Sequence, residues 1–453
     1  MDLWLRNGRL AGDDESTLVD LAIEGGKIVT IAPASGAGTA PGNRAAVQMR
    51  AAAGTASAPL QAAAPIVPAA QASWPRIGAA VQPPAEIDLA GRLISAPLVE
   101  THIHLDKSCI LERCRAEEGT LAEAISEVTR AKRDFDDADI YARAQRTLER
   151  CVAQGTGVMR THVEIDPGIG LTGFHAVQRL ARDWQWAIDV ELCVFPQEGM
   201  LNNPGTEALL VQALREGAQV LGACPYTDSD PAGQIERIFE LAREHDVDID
   251  MHLDFGDTPE QMWIEHVAQA TRRFRWGGRV AVGHVTRLST LAPDRFAAIG
   301  RQLADAGVAV TVLPSTDLYL MGRGRTHDVI RAVTPAHRLL AQGVNCSIST
   351  NNVLNPFTPF GDCSLTRMAN LYANVSQVGR REEVRACFDM VTRRSAQLLR
   401  RTQYTPGVGG SADLVVLDCV SSEAAVAEVA SPLFGLKAGR VTFSRPPAML
   451  NRP

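Results

Sequence analysis

The chain has 453 residues, 45% of them hydrophobic, ample for a large buried core. A formal net charge of -7 without any block of Lys and Arg argues against a nucleic-acid surface. No run of about 18 apolar residues is free of charges and breakers, so no membrane span is expected. The nine cysteines include no CxxC pair and sit in apolar segments such as ELCVF and LGACP, which reads as reduced buried thiols. The opening MDLWLRNGRLAGDDESTL has neither the apolar core nor the cleavage pattern of a secretory signal, so a cytoplasmic enzyme is the expectation.

Residues 1–33 alternate apolar and polar positions, as half-buried strands do. Residues 34–86 are rich in Ala, Pro, Gly and Ser and read as a low-complexity flexible insertion. From Ile94 onwards eight β-rich runs alternate with helical stretches: LISAPLVETHIHLD, GVMRTHVEID, IDVELCVFPQEG, QVLGACPYTD, VDIDMHLDF, RVAVGHVTR, VAVTVLPSTD and NCSISTNNV. Between them, segments such as LAEAISEVTRAKRDF and QIERIFELAREHD repeat apolar residues at three- and four-residue steps. Parallel strands each need a crossover helix, so eight such units predict an α/β fold, a (β/α)8 TIM barrel over residues 98–401. An open doubly wound sheet is the alternative. SADLVVLD and LFGLKAGRVTFSRP return to two-residue alternation, so residues 1–33, 87–97 and 402–453 are expected to form a small β-sandwich domain.

Reactive groups in such a barrel gather at the C-terminal ends of the strands. The first run ends in Thr101-His102-Ile103-His104, and two imidazoles two residues apart share a face of a strand and can share a cation. His252 ends the fifth run and His284 the sixth. The fourth ends in Cys224-Pro225-Tyr226 and offers no lysine for a bridging carbamate, which favours one divalent metal ion, Zn or Fe.

LISAPLVETHIHLDK resembles the first barrel strand of cytosine-deaminase-like members of the amidohydrolase superfamily. VMRTHVEID, VFPQEGM, IDMHLD, VAVGHV and STNNVLNPFTPFGD resemble that family's successive strand ends, in order. The resemblance covers the chain outside residues 34–86. It implies His102, His104 and His252 as metal ligands and a catalytic His284 that holds the attacking water or the oxyanion. It also implies substrate contacts from Gln197, Asn352 and Phe357, although Phe357 reads equally well as loop packing. Asp106 and Lys107 read either as a surface ion pair or as support for His104.

Two positions depart from the family pattern. Phe255 stands where relatives carry a proton-shuttling glutamate, and Asn351 where they carry a metal-bound aspartate. Asparagine can still offer the metal an oxygen, but it brings no charge and no basicity. A positioned acid or base is worth about 10²–10⁴ in rate, so the proton chemistry must be carried otherwise. Asp254 adjoins the lost shuttle and is the nearest candidate; Asp257, Glu198, Glu164 and Asp166 read first as scaffold groups. The expected function is metal-dependent hydrolysis of a C–N bond in a small, cyclic nitrogenous substrate. The alternatives are a catalytically degenerate homologue that binds a small ligand or partner, or a lyase or isomerase on the same barrel. Beyond a small-molecule substrate no partner is implied, and a homo-oligomer is compatible with the sequence.

Overall fold

The computed structural model describes residues 2–12, 14–34, 85–402, 404–446 and 448–451. Most of the low-complexity stretch expected at 34–86 therefore lies outside the described residues. The chain opens with an antiparallel meander of β1 (Leu3–Leu10), β2 (Leu18–Glu24) and β3 (Lys27–Pro33). β4 (Glu86–Asp88) and β5 (Leu93–Ser95) then pair in parallel with successive parts of β1. Ala96-Pro97 ends β5, since proline cannot donate to a ladder. The first β-rich run is thus divided: Leu93–Ser95 belongs to the outer sheet, and the barrel begins one residue after Pro97.

The barrel strands are β6 (Leu98–Ile103), β7 (Thr156–Glu164), β8 (Asp189–Phe195), β9 (Val220–Ala223), β10 (Asp248–Leu253), β11 (Val280–His284), β12 (Val308–Val312) and β13 (Cys346–Ile348). They pair in sequence order, all parallel. Beyond β13 the chain meets β6 again: Asn351 N donates to His102 O at 2.9 Å and His104 N to Asn351 O at 3.0 Å. That junction closes the ring, as an open doubly wound sheet would not.

The connecting helices bury the stripes their periodicity announced. Pro231–His245 turns Ile235, Ile238, Phe239 and Ala242 inward, with Pro231 in its first turn and Asp230 accepting from Gly233 N at 2.9 Å as its cap. β14 (Leu414–Leu417), β15 (Pro432–Lys437) and β16 (Arg440–Ser444) return to pair with β5, completing an eight-stranded sheet. Its own apolar core joins residues from both ends of the chain, Leu5, Ile23, Ile94, Val416 and Phe434 among them. Among the described residues no helix is long and apolar enough to cross a membrane.

Candidate metal centre and active site

Four imidazoles meet at the C-terminal mouth of the barrel. The pleat turns His102 and His104 to one side of β6, while His252 comes from β10 and His284 ends β11. Nε2 of His252 lies 3.1 Å from Nε2 of both His102 and His104. A Cβ at Gly283 would sit 3.0 Å from Cε1 of His102, so the glycine lets that ring lie close against β11. Burial, reinforced by neighbouring imidazoles and Lys107, drives the basicity of His102, His104 and His252 well below the usual histidine range. All three rings are therefore neutral, with lone pairs to offer. Their Nδ1 atoms are buried without a hydrogen-bond partner among the described residues, as is Oδ1 of Asn351. An ion held at about 2.0–2.1 Å by each nitrogen in tetrahedral or octahedral geometry sets neighbouring nitrogens about 2.9–3.4 Å apart. The observed 3.1 Å fits that range.

His284 stands apart from the trio through its partner. Its Nδ1 lies 2.6 Å from Oδ1 of Asp317, a fully buried residue in the helix Pro314–Leu320 that follows β12. The other carboxylate oxygen accepts from Leu313 N at 3.3 Å. Burial pushes the Asp317 carboxyl up, and His284 opposes that rise. A carboxylate accepts only, so Nδ1 of His284 carries a proton, and the neutral form of the ring presents its lone pair at Nε2. Nε2 lies 3.5 Å from Nδ2 of Asn351, and the ring of Phe255 stands edge-on to His284 at 4.7 Å. The turns here are strained: Asp254, His284, Val285 and Asn351 all have positive φ, between 44° and 68°.

A second group of charges lies on the opposite side. Lys107 is 2% exposed, so it forms no surface pair; Nζ donates to Glu164 at 2.5 Å and to Oε1 of Gln197 at 3.2 Å, and lies 4.5 Å from the centre of the Phe357 ring. Asp106 accepts from the backbone N–H of Lys107 and of Glu164, each at 2.9 Å, which ties β6 to β7. Glu164, Asp166 and Glu198 could cage a cation, but the ammonium of Lys132 already bonds all three. Burial would raise the Glu164 carboxyl; Lys107 and Lys132 instead bring it down to about 2.

The cavity between these groups is lined by His104, His252, His284, Lys107, Gln197, Tyr226, Phe255, Thr316, Asn351, Asn352, Phe357 and two leucines. The space between these walls is about 260 Å³, counting the part open to solvent.

Residues 142–443 match the model of the amidohydrolase family. The chain belongs to that family. This amidohydrolase is 28% identical over 338 residues to a pterin deaminase of Rhizobium rhizogenes, covering 73% of this chain and 76% of that one. It is 26% identical over 365 residues to the N-isopropylammelide isopropyl amidohydrolase of Pseudomonas sp. strain ADP, covering 79% and 87%. The 5-methylcytosine deaminase of Klebsiella pneumoniae, solved with 5-fluorocytosine, shares the fold at a TM-score of 0.85, with 23% identity and full coverage of both chains.

The amidohydrolase fold thus brings together His102, His104, His252, His284, Gln197, Asn351, Asn352 and Phe357, all named from sequence. It sets Asp254 aside. Both of its oxygens are taken by backbone donors, Trp263 N at 2.7 Å and Ile264 N at 3.0 Å, at the start of the helix Ile264–Phe274. Asp257 is half-buried in the loop after β10 and does not line the cavity. Sequence reasoning missed Asp317, whose only signal was an acid closing the run VAVTVLPSTD. It also missed a buried network in which His162 stacks on His102 at 3.8 Å and Arg160 donates to Asp250 at 2.8 Å.

Proposed function

We propose that this amidohydrolase is a one-metal hydrolase that breaks a C–N bond on a small nitrogenous ring, with His284 and Asp317 handling the proton. The observation that carries the reading is the convergence of three neutral imidazole nitrogens beside a histidine whose lone pair a buried carboxylate aims at the same cavity. His102, His104 and His252 would hold the ion, zinc or iron, with Oδ1 of Asn351 as a neutral fourth donor. A divalent ion in such a setting polarises water into a nucleophile near neutral pH. Nε2 of His284 accepts the proton of the attacking water, and Asp317 stabilises the imidazolium through Nδ1–H. Nε2–H of His284 then returns that proton to the departing nitrogen, a role that Phe255 cannot fill. Gln197 and Asn352 orient the ring, and Phe357 forms an apolar wall. The activities of the pterin and N-isopropylammelide relatives support a heterocyclic substrate.

Metal analysis of protein purified without chelator, together with turnover in H₂¹⁸O, tests the reading. About one equivalent of zinc or iron and solvent ¹⁸O in the product are expected. Less than about a tenth of an equivalent of any transition metal sinks it. The ring of Phe255 against His284 favours one competing reading, a relative that binds its ring without turnover. Metal-replete protein inert toward amino-substituted pterins, triazines and pyrimidines would establish that competitor.

A further inference from the structure

The three imidazoles that would hold the ion are unequally supported from behind. Nε2 of His252 meets Nε2 of His102 and of His104 at 3.1 Å, so all three rings turn Nδ1 away from the ion. A neutral imidazole that offers its lone pair at Nε2 carries its proton on Nδ1, and an acceptor there fixes the tautomer and the ring plane. Among the described residues, only His102 has a carboxylate facing that nitrogen: Oδ1 of Asp250 lies 4.0 Å from it. Asp250 is fully buried on β10, and its Oδ2 accepts from Nη1 of Arg160 at 2.8 Å. Arg160 is 1% exposed and donates from Nε to Glu191 at 2.7 Å, so the guanidinium is held from two sides. Oδ1 of Asp250 has no hydrogen-bond partner among the described residues, and an unmatched buried carboxylate oxygen is costly. Besides Nδ1 of His102 it faces Nε2 of His162 at 3.6 Å, and both nitrogens are equally unmatched.

We infer that Asp250 is a positioning residue of the metal centre: fixed by Arg160, its Oδ1 accepts from Nδ1–H of His102 and so keeps the Nε2 lone pair of that ring on the ion. Reaching hydrogen-bond length takes about 1 Å of movement. Arg160 offsets the charge of the carboxylate without occupying Oδ1, so His102 gains orientation and basicity while the cavity gains no net charge. His102, His162 and Asp250 also lie close enough together to hold a second cation. Such an ion would claim Nδ1 of a ring whose Nε2 already serves the first, beside a guanidinium, and like charges oppose it. The assignment rests on the one-metal reading, and ion binding tests it separately from turnover.

The experiment is competition for zinc between the full-length protein and a chromophoric chelator, run on the parent, Asp250→Asn and His162→Phe. Arginine only donates, so the new amide must give its oxygen to Arg160 and turn its NH₂ on Nδ1–H of His102, donor against donor. Zinc binding by Asp250→Asn should weaken about 10- to 100-fold. His162→Phe keeps a ring against His102 and removes the nitrogen that shares Oδ1, so its zinc affinity should stay within about threefold of the parent. An Asp250→Asn protein that binds zinc within about threefold of the parent overturns the inference alone, as does a loss in His162→Phe as large as that in Asp250→Asn. Uptake of about two equivalents by the parent, with one lost in Asp250→Asn, also overturns it, because Asp250 would then be a ligand. Should Asp250→Asn misfold, the zinc-loaded parent decides the matter. In its ¹⁵N-histidine spectra, Nδ1–H of His102 should lie furthest downfield among the ligand protons, because its acceptor is charged. A His102 signal level with those of His104 and His252 overturns the inference. A parent that takes up no ion removes the metal reading and this inference with it.

Discussion

Replacing Asp317 by asparagine isolates the proton-handling pair. The amide has nearly the shape of the carboxylate, and its oxygen can still accept from Nδ1 of His284, now 2.6 Å from Oδ1. What disappears is charge. A hydrogen bond to a charged group contributes about 1.5–3 kcal/mol, roughly twice a neutral one. The carboxylate matters most as His284 becomes an imidazolium, so the difference between the charged and the neutral bond, about 0.75–1.5 kcal/mol, is lost from the transition state. At about 1.4 kcal/mol per tenfold, kcat should fall on the order of 3- to 12-fold. KM should stay within about twofold, because Asp317 does not line the cavity. His284→Ala removes the base itself and should cost about 10²–10⁴ in kcat. The assay is steady-state kinetics on an amino-substituted heterocycle, with metal content measured for each preparation. An Asp317→Asn protein that keeps its metal and a kcat within about twofold of the parent would refute the assignment. A loss carried wholly by KM would do so too.

Two further perturbations bear on charge. Asn351→Asp adds an anionic donor where a buried, unpartnered Oδ1 now stands, and should tighten metal binding by about tenfold or more in a chelator competition; unchanged or weaker binding would remove Asn351 from the metal site. Lys132→Met leaves Asp166 and Glu198 without their ammonium and Glu164 with Lys107 alone, and should cost about 3–5 kcal/mol at pH 7 by urea unfolding. Since Glu164 is held down to about 2 from an ordinary 4.5, the stability it gains is present above about pH 4.5 and fades as pH falls toward 2. The gap between parent and variant should therefore be smaller at pH 3 than at pH 7, and an equal gap would contradict the pairing.

The barrel was legible because each strand is a short β-rich run and each helix carries an apolar stripe, both local patterns. His102 and His104 were legible for the same reason, the two-residue period of a strand. Where the chain leaves that period, sequence reading failed. Asp254 looked like a neighbour of His252 on one face, but at φ 47° the chain has already turned, and the carboxylate caps a helix that starts ten residues later. Asp317 lies 33 residues from His284, and only the lateral pairing of β11 with β12 brings them together. Lys132 follows the polar side of an amphipathic stretch, yet the helix Leu121–Ala131 ends just before it and delivers the ammonium to three acids.

The two substitutions at Phe255 and Asn351 also act together on the charge of the cavity. Each replaces an anionic group of the family pattern by a neutral one, and neither Asp254 nor Glu164 makes up the difference, because both spend their oxygens elsewhere. With Lys107 present and no carboxylate among the described lining residues, a divalent ion here would meet little protein charge to balance it. In a buried site of low dielectric such an imbalance favours an anionic occupant over a neutral one. Metal affinity and ring preference should then be coupled with opposite signs at Asn351. An aspartate there tightens the ion and, by supplying the missing charge, weakens the hold on an anionic ring relative to a neutral one. If Asn351→Asp tightens both, the cavity does not select by charge.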